Sequence, residues 1–170
     1  MPAEESVVLV DEEDRPTGVM EKLRAHREGA LHRAVSVVVT DSSGRHLLQQ
    51  RAAGKYHAGR LWSNTCCGHP RPGESPPEAA ARRLREEMGL ECALRPVARF
   101  VYRAEVGDLI EHEVDHVFVG VTDDEPRPNP DEVMAWRMAD PVALSRDVRE
   151  RAERYTPWLP LVLEALREQR

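Results

Sequence analysis

Short apolar segments recur along the chain, and their spacing predicts strands separated by turns. Ser6–Val10 is a β-branched run, and residues 31–40 form a longer apolar run that is typical of a buried strand. Residues 41–44 have turn chemistry and lead into His46–Arg51, which predicts a hairpin. Three later segments predict further strands: residues 97–104 and Leu109–Val121, joined through Gly107, and residues 135–139.

Segments of helix-forming residues lie between these strands. The clearest predicted helix begins after Ser75, which can cap it, and ends at Gly89. Its packing side carries apolar residues at helical spacing, namely Ala80, Leu84 and Met88. The other predicted helices cover residues 21–28, 140–155 and 157–168. Strands mixed with helices in this way predict an α/β or α+β protein, an α/β/α sandwich with a central mixed sheet.

Composition narrows the class of protein. A chain of 170 residues, 41% of them hydrophobic, predicts one domain over residues 1–170. The net charge of −6, without a concentrated basic run, argues against a nucleic-acid-binding protein. No apolar run is long enough to cross a membrane, and the acidic amino terminus does not resemble a secretory signal. Two of the three cysteines are adjacent, which favours free thiols, so we expect a soluble cytoplasmic protein.

Three histidines have no obvious packing role in the sequence, and they are candidates for metal binding. His26, His32 and His69, together with one or two carboxylates, would suit a borderline divalent ion such as zinc or manganese. Taken singly, each of them is better interpreted as an ordinary surface or half-buried histidine. That ordinary class is also our assignment for three further histidines: His46, His57 and His116.

Two glutamates on the strand Leu109–Val121 add to this hypothesis. Period-two alternation places Glu111 and Glu113 on one face of the strand, about 6.5–7 Å apart, so that both can reach one cation. For a lone strand, a solvated acidic face is the better interpretation. Like charges on neighbouring positions repel unless a cation or a proton offsets them, and the histidines can complete such a site.

Cys67 is the candidate for proton transfer or thiol reactivity. It lies in a loop beside Gly68, and His69 and an acid-rich helix follow it. A protease-type nucleophile lacks support, because no separate base or oxyanion-hole motif can be identified. Cys66 and Cys92 are predicted to be small buried hydrophobic residues.

Other charged side chains could bind a diphosphate and its magnesium ion. Glu74, Glu86 and Glu87 lie at the start and along the exposed side of the predicted helix, where they could hold Mg²⁺ or simply form i, i+4 ion pairs. Four basic residues could clamp phosphate oxygens, although each alone would be a surface cation: Lys22, Arg51, Lys55 and Arg83.

Residues 68–90 combine a loop and a helix in a recognisable spacing. Gly68 is separated by five residues from Glu74, and Glu74 by seven residues from the segment 82–90. This spacing resembles the Nudix box, except that Arg83 stands where hydrolysing members carry a glutamate. Across nearly the whole chain, the order of further motifs resembles the type 1 isopentenyl-diphosphate isomerases. These motifs are residues 26–34, 64–70, 102–104, 111–115 and 155–158.

This resemblance implies a Nudix-type fold and a role for each site residue. Cys67 and Glu113 would be the acid and base on opposite faces of the substrate, with Tyr102 bonded near the glutamate and Trp158 facing the hydrocarbon. Glu87 would help Mg²⁺ to hold the diphosphate. The implied basic clamp is Lys22, Arg51, Lys55 and Arg83, and the implied ligands of one Zn²⁺ or Mn²⁺ are His26, His32, His69, Glu111 and Glu113.

The implied activity is interconversion of isopentenyl and dimethylallyl diphosphate, which feeds isoprenoid biosynthesis. Protonation of an unactivated alkene gives a tertiary carbocation, which an indole face can stabilise and from which water must be excluded. We expect a monomeric or weakly associating enzyme with a small diphosphate substrate and with neither nucleic acid nor membrane as partner. Two alternatives stay open here: a Nudix hydrolase of nucleoside diphosphate derivatives, and a non-catalytic diphosphate sensor.

Overall fold

The computed structural model describes residues 5–169, in which nine strands and four helices alternate along the chain. The strands are β1 Ser6–Val10, β2 Pro16–Glu21, β3 His32–Thr40, β4 His46–Arg51, β5 Trp62–Ser63, β6 Cys66–Gly68, β7 Arg95–Val106, β8 Leu109–Val121 and β9 Val133–Ala139. The helices are α1 Lys22–Glu28, α2 Pro76–Met88, α3 Pro141–Glu150 and α4 Leu159–Glu168, with a short 3-10 helix at Ala152–Arg154.

Strand β3 is the centre of a mixed sheet. It pairs in parallel with β8 over nine positions and antiparallel with β1 and β6. Strand β7 forms a long antiparallel hairpin with β8, and β4 pairs antiparallel with β5 and β9. The predicted mixed sheet is therefore confirmed.

The predicted hairpin of β3 and β4 is wrong in all but its turn. The two strands pair only at Thr40 and His46 and then separate. The cause is Thr65, whose hydroxyl accepts a hydrogen bond from the Val39 amide at 2.8 Å and donates to the Leu47 carbonyl at 2.7 Å. A side chain thus replaces the ladder between the two strands, and the gap lets β6 pair with β3.

Helices cover both faces of the sheet. On one face, Leu84 and Met88 of α2 pack in a buried cluster with Phe118 and Leu47. On the other face, α3 and α4 contribute to a second cluster with Leu48, the next residue along β4. Because successive strand residues point to opposite faces, these two clusters define the predicted three-layer α/β/α arrangement.

Helix α2 has the predicted ends, whereas the closing helices are shorter than predicted. Ser75 and Glu78 form a reciprocal capping box, and Gly89 adopts φ 63° at the carboxyl end. Helix α3 ends at Glu150, because Arg151 leaves the helical region at φ −135° and ψ 50°, and α4 begins only at Leu159. Strand β2 was missed, since it contains Pro16 and Gly18, and both residue types have weak strand propensity.

None of the helices within residues 5–169 is both long enough and apolar enough to span a bilayer.

Candidate active site

A pocket of about 920 Å³ opens between the sheet, α1 and the amino end of α4. All of the predicted site residues line it except His26 and His32, which are fully buried behind its wall. The lining residues from the prediction are Lys22, Arg51, Lys55, Cys67, His69, Arg83, Glu87, Tyr102, Glu111, Glu113 and Trp158.

The sheet register positions the two predicted proton-transfer residues. Glu113 on β8 pairs with His32 on β3, and Cys67 on β6 pairs with Ser36, four residues further along β3. Strands β6 and β8 flank β3 on opposite sides, so the thiol and the carboxylate reach the same pocket from different strands. Tyr102 on β7 lies opposite Glu113 and donates a hydrogen bond to its Oε1 at 2.5 Å.

Two histidines have their ring tautomer fixed by the backbone. Nδ1 of His26 lies 2.7 Å from the Lys22 carbonyl, and Nδ1 of His32 lies 2.9 Å from the Ala30 carbonyl. A carbonyl only accepts, so Nδ1 of each ring carries a proton. Nε2 then faces a carboxylate, that of Glu111 for His26 and that of Glu113 for His32, and in the singly protonated ring it presents a lone pair there. This is the form in which histidine binds metal ions.

The ligand atoms converge in two overlapping groups. Atoms of His26, His32, His69 and Glu113 lie within 4.8 Å of one another, and so do those of His26, His57 and Glu111. Nε2 of His26 and Oε2 of Glu111 are 3.3 Å apart, buried, and without a hydrogen-bond partner. When Glu111 is ionised, two acceptors face each other there, a contact that a cation, or a proton on the carboxylate, would stabilise. The donor set of imidazoles and carboxylates fits Zn²⁺ or Mn²⁺.

Burial determines the protonation of this cluster. Burial, with the nearby Glu113 carboxylate, raises the pKa of Glu111 well above its ordinary value. Burial lowers the pKa of His69 to about 4, so the ring is neutral at pH 7 and its lone pair is available. The three acids of β8 are buried, so their face of the sheet is not the solvated surface that a lone strand would favour.

The thiol of Cys67 is held by hydrogen bonds to residues that are not part of the cluster of histidines and glutamates. Its thiol donates to Asn64 Oδ1 at 3.4 Å and lies 3.7 Å from the Ser36 hydroxyl. Burial, with the nearby Asp115 carboxylate, raises the pKa of the thiol to about 12, so the sulfur is protonated at pH 7. The chemical state is therefore that of a neutral proton donor rather than of a thiolate nucleophile.

A chain of hydrogen bonds joins Trp158 to Cys67. The indole Nε1–H donates to the Ser63 hydroxyl at 3.1 Å, which in turn donates to Asn64 Oδ1 at 2.9 Å. Asn64 also accepts from the Cys67 thiol. The orientation of the indole and that of the thiol are thus set by the same asparagine.

The predicted clamp cations line the pocket, but most of them are paired with a carboxylate. Lys22 Nζ lies 2.5 Å from Glu5, and Lys55 contacts Glu132. Arg83 contacts Glu86 at 2.7 Å and Glu87 at 3.2 Å. A diphosphate bound here would share these cations with the carboxylates.

Of the three acids considered for magnesium, only Glu87 reaches the pocket. It is buried, contrary to the predicted exposed position, and its Oε2 has no hydrogen-bond partner. Glu74 and Glu86 instead form ion pairs with Arg82 at 2.7 Å and 3.0 Å, which agrees with the alternative interpretation given for them in the sequence. Burial, partly offset by the nearby Arg83, raises the pKa of Glu87.

The assignment of His57 to the ordinary class of histidines is wrong, because the ring is buried in the pocket wall and contacts Glu111. Sequence reasoning also missed Glu132, which lies 65 positions after Cys67 in no recognisable motif and is brought to the pocket just before the start of β9. The other two histidines of that class lie outside the pocket lining: His46 on β4, and His116, whose Nε2 is 2.9 Å from Asp14.

Comparisons with known proteins agree with this architecture. The family profile described as NUDIX domain matches residues 30–159. The crystal structure of DR0079 from Deinococcus radiodurans superposes with a TM-score of 0.80 at 22% identity, covering 94% of this chain and 98% of that one. The MutT protein from Methanosarcina mazei Go1 gives 0.68 at 18% identity, covering 81% and 94%. At these identities the likeness concerns the fold.

Sequence relatives are much closer. Isopentenyl-diphosphate Delta-isomerase 2 from Aromatoleum aromaticum is 55% identical over 95% of this chain and 86% of its own length. Isopentenyl-diphosphate Delta-isomerase from Burkholderia multivorans is 54% identical over 95% of this chain and 92% of its own. The chain therefore belongs to the NUDIX domain family and, within it, to the isopentenyl-diphosphate Delta-isomerases.

Proposed function

We propose that this protein interconverts isopentenyl diphosphate and dimethylallyl diphosphate. The observation that carries the proposal is one pocket lined both by a protonated thiol, Cys67, and by a buried carboxylate, Glu113, on strands that flank β3 from opposite sides. Moving a double bond requires one proton to be added and a different one to be removed, so two such groups must face the same hydrocarbon.

The proton steps are assigned to Cys67 and Glu113. Adding a proton to the terminal carbon of the alkene leaves a tertiary carbocation on the next carbon. Loss of a proton from the methylene on the other side of that cationic carbon forms the new double bond. In one direction the first group gives a proton and the second takes one, and in the reverse direction they exchange these roles. Tyr102 donates to Glu113 Oε1 and so leaves Oε2 to face the cluster of histidines.

Trp158 is assigned to the carbocation. The indole is buried, and its N–H is engaged by Ser63, so the ring has no lone pair to offer that could capture the cation. The negative face of the aromatic ring stabilises positive charge electrostatically. The buried position also limits the access of water, which would convert the cation into an alcohol.

Metal ions complete the proposed site. His26, His32, His69, Glu111 and Glu113 would hold Zn²⁺ or Mn²⁺, and Glu87 would hold Mg²⁺ with the substrate diphosphate; both ions would supply positive charge to buried oxygen atoms. Lys22, Arg51, Lys55 and Arg83 are assigned to the diphosphate oxygens. The unpartnered oxygens of Glu87 and Glu111 support these assignments.

Arg83 argues for an enzyme that keeps the diphosphate intact. Hydrolysing Nudix proteins carry a glutamate at this position, as the resemblance described above implies. Here the guanidinium contacts Glu87 and is oriented toward the pocket. We infer that a phosphate-binding cation has replaced a metal-binding carboxylate. A monomeric state and a cytoplasmic location remain predictions.

Incubation with isopentenyl diphosphate in heavy water tests the proposal. We expect deuterium in dimethylallyl diphosphate, no release of phosphate, and loss of both exchange and product in Cys67→Ser. Release of phosphate without exchange would favour the hydrolase. Binding of the diphosphate with neither reaction would favour the sensor.

A further inference from the structure

His57 lies between the two ends of the pocket. It comes from the loop that follows β4, and its ring is buried. On one side Nη2 of Arg51 lies 3.2 Å from Nδ1 of the ring, and on the other side Nε2 contacts Oε1 of Glu111. Arg51 belongs to the proposed diphosphate clamp and Glu111 to the proposed metal cluster, so this imidazole is the physical link between them.

Arg51 determines which ring nitrogen of His57 carries the proton. A guanidinium has only donors, so Nδ1 of His57 must accept its N–H. The ring proton is then on Nε2, where it points at the Glu111 carboxylate. His26 and His32 have the opposite tautomer, because backbone carbonyls hold their Nδ1–H groups. With one proton per ring, His26 and His32 therefore offer lone pairs to the cluster, whereas His57 offers an N–H.

This hydrogen bond divides the work of the two Glu111 oxygens. Oε1 is held by His57, and Oε2 is left without a hydrogen bond, 3.3 Å from the lone pair of His26. Groups that hydrogen-bond a metal ligand from behind usually set its orientation and its basicity. The ring of His57 is itself held by stacking on Tyr56, with ring centroids 4.0 Å apart.

We propose that His57 is a positioning residue, which donates its Nε2–H to Glu111 and thereby aims the free carboxylate oxygen at the metal position, while Arg51 fixes the tautomer. The rival is that His57 is itself a metal ligand, since its Nε2 lies within 4.8 Å of ligand atoms of His26 and Glu111. The inference rests on the metal site of the proposed function, but its tests need no turnover.

The first test reads the tautomers directly. Two-dimensional ¹⁵N NMR of the imidazoles at neutral pH should place the His57 proton on Nε2 and the His26 and His32 protons on Nδ1. A proton on Nδ1 of His57 would overturn the proposal, because the ring would then present a lone pair to the metal position. The set of imidazole signals that is lost in His57→Gln belongs to His57, which assigns its resonances.

The second test measures the affinity for Mn²⁺ alone, by competition with a chelator and without substrate. His57→Leu should weaken binding by about 10- to 100-fold, and His57→Gln, whose amide N–H reaches the same place, should restore most of it. Arg51→Met should weaken Mn²⁺ binding more than Lys55→Met does. Lys55→Met is the matched control, because it also removes one pocket cation but Lys55 does not contact His57.

The effect of Arg51 should disappear when His57 is already leucine, since the tautomer no longer matters. Unchanged affinity in His57→Leu would overturn the proposal. A second pair of results would also overturn it: Arg51→Met lowers the Mn²⁺ affinity equally in the wild type and in His57→Leu, and His57→Gln does not restore the affinity. A histidine that binds the metal directly would give that pair of results. An isomerase assay that fails while these affinities follow expectation would count against the proposed function and leave the role of His57 intact.

Discussion

Carboxylates are used in opposite ways in the pocket and in the surface turn after β3. In the turn, Asp41 Oδ1 accepts from the Ser43 amide, the Ser43 hydroxyl and the Arg45 amide at 3.0, 2.7 and 2.9 Å, and Oδ2 accepts from Arg45 Nε at 2.8 Å. In the pocket, Glu111 and Glu87 are buried, and each has one oxygen without any hydrogen-bond partner.

The pKa values differ in the same way. A hydrogen bond from the Ser43 hydroxyl, together with Arg45, lowers the pKa of Asp41 to about 2, whereas burial raises those of Glu87 and Glu111. The four hydrogen bonds that the Asp41 carboxylate accepts come from neighbours within four residues in the chain. In the pocket, the corresponding positive charge would come from the metal ions of the proposed function.

The largest effect should come from removing the proton-transfer groups. Glu113→Gln and Cys67→Ala should each lower isomerase turnover by about 10³-fold, because each removes one general acid or base. Asp41→Asn, which changes a carboxylate far from the pocket, should keep the wild-type rate. The measurement is conversion of isopentenyl diphosphate under saturating substrate and metal. Near-normal turnover in Glu113→Gln would exclude its assigned role.

Metal ions should stabilise the pocket and leave the turn unaffected. At about 100 times the Kd, an ion that binds only the folded protein adds about 2.7 kcal/mol to the free energy of unfolding. We expect Mn²⁺ or Zn²⁺ to raise the unfolding temperature of the wild type and of Asp41→Asn, and to have little effect on His69→Ala. Equal stabilisation of all three would mean that the ion binds elsewhere.

The same change of acid to amide should have opposite signs in the two regions. In the metal-free protein, Glu111→Gln should raise the free energy of unfolding by about 1 kcal/mol, since the amide N–H can donate to the lone pair of His26. Asp41→Asn should lower it, because the new amide would face the N–H of Arg45. Chemical denaturation with metal removed measures both. Destabilisation by Glu111→Gln would show that its carboxylate is already satisfied without a cation.

The smallest effect is the response of the turn to acid. Asp41 has a pKa of about 2 in the folded protein against 3.8 ordinarily, so the unfolded chain binds more protons between these values. Its stabilising contribution is complete above pH 3.8 and is lost as the pH falls through 2. Between about pH 4 and pH 2, the denaturation midpoint of Asp41→Asn should therefore fall less steeply than that of the wild type. Parallel curves would contradict the lowered pKa.

Much of the fold was predictable because its signals are local. The cap at Ser75, the apolar stripe of α2 and the left-handed Gly89 depend on residues a few positions apart. The same holds for the hydrogen bonds that the Asp41 carboxylate accepts in its turn. The hairpin prediction failed because Thr65, 26 positions from Val39 and 18 from Leu47, inserts its hydroxyl between β3 and β4.

The chain alone determined most of the secondary structure, the Nudix-type motif and the set of ionisable residues, since these follow from residue types and short spacings. Only the tertiary structure decided how those residues are used. It buried Glu87, paired Lys55 with Glu132, and turned His57 from an ordinary histidine into a neighbour of Arg51 and Glu111. The physical reason is that hydrogen-bond direction and burial depend on partners from distant segments, and these meet only once the sheet has formed.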